Sequence, residues 1–265
     1  MEALNVSRKL LMETGLSASA LSREVKLNEV LNDFNNACLD AGVDYALFGG
    51  TAINKLYLSE ETRFSEDLDL HVFNSTKKKV ESLLKELNGV LKGPTRIFKE
   101  FYRWGLTFED EDLGGVESLN FDVGIGFKES PSEIVFRKSK SFLNDFGVPI
   151  ASLRIPTYSA EAMVAMKCLA LNSRAIGKDY YDLHHLLKTR EINSSKALGE
   201  AYAFKDSLFD FVKISDGFYG EVLKRVQETD VKELRGCDAF IPIAYRPDWA
   251  ALKNELVWLV KSKLC

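Results

Sequence analysis

Two glycines and two aspartates constrain this chain more than anything else in it. Tyr45-Ala46-Leu47-Phe48 is a short apolar run that stops at Gly49-Gly50, and Thr51 follows. Further on, Asp67 and Asp69 alternate with Leu68, Leu70 and Val72. Alternation is the period of a strand, so both carboxylates fall on one face and the leucines on the other. Their α-carbons then lie roughly 6.5–7 Å apart. Carboxylates so placed repel each other, and a hard cation between them relieves the repulsion. Mg²⁺ takes oxygen ligands in octahedral geometry, commonly one or two carboxylates plus substrate phosphates. Two such ions about 4 Å apart activate an attacking oxygen and hold the leaving one. Glycines between a strand and a helix let backbone approach a ligand closely. The helix start beyond them offers free N–H groups to phosphate oxygens, and Thr51 adds a hydroxyl. The plain alternative is a strand with two solvated aspartates.

Hydrophobic spacing predicts helices over residues 1–13 and 19–40, the second stopped by Gly42. A strand over 44–49, a helix over 51–60 and a strand over 67–73 follow. An amphipathic helix with a solvated lysine face covers 77–87, and Gly93-Pro94 reads as a break. A hairpin then joins 101–108 to 116–127 through an acidic turn at 109–112. In its second strand Asp122 is the one carboxylate on a face that Gly124 and Gly126 keep small, which leaves room for a ligand. It completes a metal site there, or it is an edge aspartate facing water, with Glu117 a weaker substitute. Arg103 lies on the corresponding face of the first strand. It is one of several cations, with Lys92, Arg96 and Lys99, able to clamp phosphate.

The texture changes to helices near residue 150. Ser159 precedes an apolar helix over 160–171 whose single charge, from 162 onward, is Lys167. A lysine in an apolar stripe is costly unless it meets an anion or reaches water. Asp179 and Asp182 share a face of the next helix, where Asp179 is also placed to be a cap. Three or four helices fill 194–265, the last with an apolar stripe of Trp249, Leu252, Leu256, Trp258 and Leu259. His184 and His185 are adjacent on a helix and make a poor chelating pair. His71 is placed for a supporting role beside Asp69 or for packing.

A Gly-Gly pair opening a helix, with Asp-x-Asp on the next strand, resembles the nucleotidyltransferase superfamily of DNA polymerase β. The longer string Gly49-Gly50-Thr51-Ala52-Ile53 with Arg63-Phe64-Ser65-Glu66-Asp67-Leu68-Asp69-Leu70 resembles the AbiEii-type nucleotidyltransferase toxins. Phe121-Asp122-Val123 and the block Ser159, Lys167, Arg174, Lys178, Asp179 and Asp182 match that family's further motifs. The resemblance implies an α/β (α+β) fold, a polymerase β-like core with a mixed sheet followed by a helical C-terminal domain. It implies Mg²⁺, two ions, held by Asp67, Asp69 and Asp122. It implies NTP as substrate, with Gly49, Gly50, Thr51, Ser65, Arg103, Lys167 and Asp182 binding the nucleotide. Lys167 and Asp179 join the three metal-binding aspartates as catalytic residues. The acceptor it implies is a hydroxyl, on a tRNA 3′ end or other RNA or on a protein, and the partner is a cognate antitoxin.

The composition adds exclusions. The chain has 265 residues, 46% hydrophobic and 28% charged, with a net charge of −4. That mild acidity implies no bulk attraction to nucleic acid or to an anionic membrane. Cys38, Cys168, Cys237 and Cys265 are scattered without a C-x-x-C pair, which fits a reducing cytoplasm. No leader-like or membrane-spanning apolar run is evident. The expected organisation is a nucleotidyltransferase domain with N-terminal helices over 1–155 and a helical domain over 156–265. The rival expectations are a catalytically inactive NTP-binding sensor or scaffold, and a pure interaction protein.

Overall fold

Ser17 opens the first long element. Its hydroxyl accepts the Ala20 N–H, and Gly42 in the left-handed region closes a helix of 24 residues. The chain is seen in a computed structural model that describes residues 8–58, 63–110, 115–174, 176–208, 212–215 and 217–265. Helix α1 (Arg8–Thr14) precedes this helix, α2 (Ala18–Ala41). The inner face of α2 buries Leu27, Val30, Leu31, Phe34 and Cys38 against the sheet. Strand β1 (Tyr45–Phe48) is buried throughout. Helix α3 (Gly49–Ala52) starts at the first glycine and widens into a π-type turn over Ile53–Tyr57. The helix therefore begins two residues before its predicted start at 51, and its expected end at 59–60 lies outside the described residues.

Strand β2 (Asp67–Phe73) and helix α4 (Lys77–Lys85) follow as the patterning predicts. Gly93-Pro94 does not break the chain. It lies inside β3 (Val90–Phe98), where the pairing register shifts between Lys92 and Thr95. β3 is an edge strand, and edges and bulges are where a sheet tolerates proline. Strands β4 (Phe101–Asp110) and β5 (Gly115–Phe127) form the predicted hairpin, with its turn at 111–114 outside the described residues. β6 (Ile134–Lys138) was not anticipated: it is short and forms the opposite edge. β7 (Arg154–Tyr158) completes a seven-stranded sheet of order β3-β4-β5-β2-β1-β7-β6. β2 runs parallel to β5 and antiparallel to β1, and β1 runs parallel to β7, so the sheet is mixed.

The rest is helical. Ser159 caps α5 (Ala160–Ser173) through the Ala162 N–H. Then come α6 (Gly177–Thr189), α7 (Ser194–Leu208), α8 (Phe218–Glu228), α9 (Val231–Leu234) and α10 (Trp249–Lys263). Asp248 caps α10, accepting from Ala250 and Ala251. One continuous core runs from α2 through the sheet to α10. Trp258 is not in the buried stripe of α10: it is 62% exposed, and Val260 takes the inner position instead. Among the described residues no helix is long and apolar enough to cross a membrane.

Candidate active site

Backbone register assembles the site. Asp69 on β2 stands opposite Asp122 on β5, and Asp67 stands opposite Asn120. Directly opposed residues on neighbouring strands project to the same face. Leu68 and Leu70, which alternate with the aspartates, are buried on the opposite face. Asp67, Asp69 and Asp122 therefore share one face, although Asp122 lies more than 50 residues further along the chain. Burial pushes the Asp69 carboxyl up to about 7, and the negative charges of Asp122 and Asp67 add to the rise. Burial also raises Asp67, partly offset by the Asn120 amide that donates to its Oδ1 at 3.1 Å. A carboxylate group crowded in this way is suited by chemistry to a hard divalent cation, whose charge removes the repulsion. The side chains are not yet closed on one point. Among the described residues no three Asp, Glu, His or Cys side chains are arranged to hold a metal ion together. Asp122 is paired with Arg103, its partner on β4, which donates Nε to Oδ1 at 2.6 Å and Nη2 to Oδ2 at 2.5 Å.

The glycine turn presses on these carboxylates. Gly49 has φ +70°, and a β-carbon there would lie 2.1 Å from Asp69 Oδ2. A β-carbon on Gly50 would lie 2.7 Å from the Arg63 guanidinium. The Thr51 hydroxyl donates to the Asp67 carbonyl, so it ties the helix start to β2 rather than facing the cavity as a free donor.

Across the cavity sits a buried charge cluster. Lys167 Nζ donates to Asp179 at 2.9 Å and lies 2.7 Å from Asp182. Arg63 grips Asp182 bidentately, Nε to Oδ1 at 2.8 Å and Nη2 to Oδ2 at 2.7 Å. Arg174 reaches Asp179 Oδ2 at 3.3 Å. Burial alone would lower the Lys167 pKa, but Asp179 and Asp182 outweigh it and raise it. Burial alone would raise Asp182, but Arg63 and Lys167 outweigh it and hold it below the usual carboxylate range. Lys167 thus does not snorkel to water. It is held in the wall by two aspartates while its charge still lowers Asp69. Lys178 pairs with Glu66, outside this cluster.

Both groups line one cavity of about 370 Å³. Gly49, Gly50, Asp69, Asp122, Lys167, Arg174 and Asp179 are among its polar lining. Ile97, Phe98 and Phe101 from the β3–β4 hairpin and Met163, Met166 and Ala170 of α5 add an apolar lining. Arg103, Thr51, Asp67, Asp182 and Ser65 are not among its lining residues. Ser65 is buried, and its hydroxyl has no hydrogen-bond partner. His71 packs among Phe48, Phe101, Phe127 and Phe204, with Nδ1 2.6 Å from the Tyr158 hydroxyl. His184 bonds Glu255 at 2.7 Å, away from the site. Sequence reasoning missed Arg63 as a site residue, although it quoted the motif that contains it. An arginine four residues before an Asp-x-Asp strand, with an aspartate pair awaiting charge on a later helix, was the available signal. It also missed the apolar wall, which no local pattern announces.

No curated protein matches the chain significantly. Its fold resembles MenT4, a nucleotidyltransferase toxin from Mycobacterium tuberculosis H37Rv, with TM-score 0.59 and 17% identity over 96% of this chain and 99% of that one. It also resembles JHP933 from Helicobacter pylori, with TM-score 0.55 and 18% identity over 93% of this chain and 92% of that one. The family profile described as "Nucleotidyl transferase AbiEii toxin, Type IV TA system" matches residues 35–257. With the carboxylate row, the glycine turn and the buried lysine all inside that match, the chain belongs to the AbiEii family of nucleotidyltransferase toxins.

Proposed function

We propose that this nucleotidyltransferase moves an NMP, or several in succession, from an NTP to a hydroxyl acceptor, with Mg²⁺ held by Asp67, Asp69 and Asp122. The observation that carries the reading is the placement of Asp69 and Asp122 side by side on neighbouring strands, against the glycine turn, in a cavity that Lys167 and Arg174 also line. In this reading residues 1–155 carry the acidic row and residues 156–265 supply Lys167, Asp179 and Asp182.

The acceptor oxygen attacks the α-phosphorus, the bond to the β-phosphate bridging oxygen breaks, and pyrophosphate leaves. The divalent ions supply charge neutralisation and a more acidic acceptor hydroxyl. Asp122 favours the alkoxide by taking up the hydroxyl proton. Gly49 and Gly50 let the terminal phosphates approach the backbone at the start of α3. Lys167, fixed by Asp179 and Asp182, sets a positive charge near the phosphates without having to reorganise. Arg63 holds Asp182 and so holds Lys167. Phe98, Ile97 and the methionines of α5 receive the sugar and base. Ser65 and Arg103 are placed at the margin of this arrangement, with Ser65 offering a buried, unspent hydroxyl. The acceptor is a tRNA 3′ end or other RNA, or a protein hydroxyl, in a cytoplasmic setting with a cognate antitoxin as partner.

Incubation with α-labelled NTPs, Mg²⁺ and either total tRNA or cell lysate tests this. Label entering a macromolecule, and lost in Asp69→Asn, supports it. Tight NTP binding without transfer under every acceptor condition would instead indicate a nucleotide sensor.

A further inference from the structure

The acidic row already contains a cation, supplied by the chain itself. Arg103 and Asp122 face each other across the β4–β5 pair, and the guanidinium engages both carboxylate oxygens. A carboxylate held bidentately is fixed in direction as well as neutralised. With both oxygens so engaged, Asp122 is not free to ligate a hard cation beside Asp69. This accounts for an acidic row that is aligned by register yet not arranged to hold a metal. The two partners differ in freedom. The Arg103 side chain is 46% exposed and Asp122 only 16%, so the arginine can leave outward while the carboxylate stays. Arg103 is not itself a lining residue of the cavity, whereas Asp122 is. It reaches the cavity only through Asp122.

We propose that Arg103 is an exchangeable counterion that couples metal binding to nucleotide binding; the idea rests on the nucleotidyltransferase reading above. In the nucleotide-free protein Arg103 neutralises Asp122. Metal arriving alone must separate a bidentate ion pair and strand the arginine. When an NTP is present, the released guanidinium finds phosphate oxygens, which it can also grip with two donors. Metal and nucleotide then favour each other's binding, and by linkage the effect is reciprocal.

The test is Mn²⁺ binding, followed by the EPR signal of free Mn²⁺, with and without an α,β-methylene NTP that cannot transfer its nucleotidyl group. Wild-type protein is expected to bind Mn²⁺ at least about tenfold more tightly when the analogue is present. Arg103→Ala is expected to bind Mn²⁺ alone about tenfold more tightly than wild type and to lose most of that coupling. Arg103→Lys keeps a charge but cannot fork, and serves if the alanine variant is poorly folded; it is expected to gain severalfold. Arg96→Ala removes an equal charge nearby, from a side chain that bonds the Lys99 carbonyl and pairs with Glu100. It is expected to change Mn²⁺ affinity less than about twofold. The proposal is overturned if Arg103→Ala binds Mn²⁺ alone no better than wild type, or gains no more than Arg96→Ala. If wild type transfers nucleotide normally in that case, only the counterion role falls. If wild type binds neither Mn²⁺ nor analogue, the nucleotidyltransferase reading falls with it.

Discussion

Gly49 and Asp69 occupy nearly the same space: a β-carbon on the glycine would stand 2.1 Å from the carboxylate's Oδ2. The glycine turn and the strand that carries Asp69 are thus fitted to each other at one atom. Gly49→Ala should be worse than an ordinary loop substitution on two counts. The left-handed φ of +70° disfavours any side chain, and the methyl group displaces Asp69. We expect transfer to fall by at least about a hundredfold, with a thermal midpoint lowered by several degrees. A rate within tenfold of wild type would show that Asp69 is not positioned by this contact.

The crowding of the acidic row predicts that one of its members weakens the metal-free fold. Asp69 has its carboxyl pushed up to about 7, chiefly by burial and then by Asp122 and Asp67. Its folded-state value lies above its unfolded value of about 3.9. Stability from this group is therefore fully present below the unfolded value and lost as pH rises through about 7. Asp69→Asn should then stabilise the metal-free protein at pH 8 by about 1–2 kcal/mol, allowing for partial solvent screening, and abolish transfer. Urea titrations in EDTA at pH 5 and pH 8 measure it. A gain at pH 8 no larger than at pH 5 would refute the electrostatic origin.

Arg63 should matter to stability and chemistry together. It is almost fully buried, bidentate to Asp182, and packed where Gly50 has no side chain. Removing one partner of a buried ion pair leaves an uncompensated charge and costs about 3–5 kcal/mol. Arg63→Ala is expected in that range by chemical denaturation. Arg63→Lys, which keeps the charge and loses the fork, should cost less and mainly raise KM for NTP, because Lys167 is then less well held. Equal stability of Arg63→Ala and wild type would remove Arg63 from the support of the site.

The apolar wall predicts how the base is held. Phe98 and Ile97 face a helix side made of Met163, Met166 and Ala170, with Ser173 and Arg174 the polar groups at that end of α5. Stacking on an aromatic ring is worth about 1–3 kcal/mol per base and is tolerant of base identity. Phe98→Ala should raise KM about tenfold or more for every accepted NTP, with kcat little changed. A change confined to one NTP would mean the ring reads base shape rather than providing a surface.

What could be read in the sequence was the part fixed by short-range pattern. Alternation around Asp67 and Asp69 set their common face. The glycine pair ended β1, and alternation in 116–127 put Asp122 opposite the leucine side. Each of these depends on residues within one element. The pairing of β2 with β5, which brings Asp69 to Asp122, came only from resemblance, since nothing local specifies which strands meet. Lys167 illustrates the limit. Its awkward position in an apolar stripe signalled an anionic partner, but the partner nearest in space is the aspartate pair of α6, as well as whatever enters the cavity. Thr51 was legible as a hydroxyl beside the glycines and illegible as a clamp on the Asp67 carbonyl, which needs the turn's three-dimensional path. Gly93-Pro94 misled because a proline in a strand is disfavoured except at an edge, and edge position is a property of the whole sheet.

Ile97 and Phe98, expected to help cradle the base, belong to β3, the outermost strand on one side, whereas Asp67 and Asp69 belong to β2 and Asp122 to β5, each with strands on both flanks. On the proposed reading, substitutions in that peripheral ribbon would alter how the base is held and leave the central acidic row untouched.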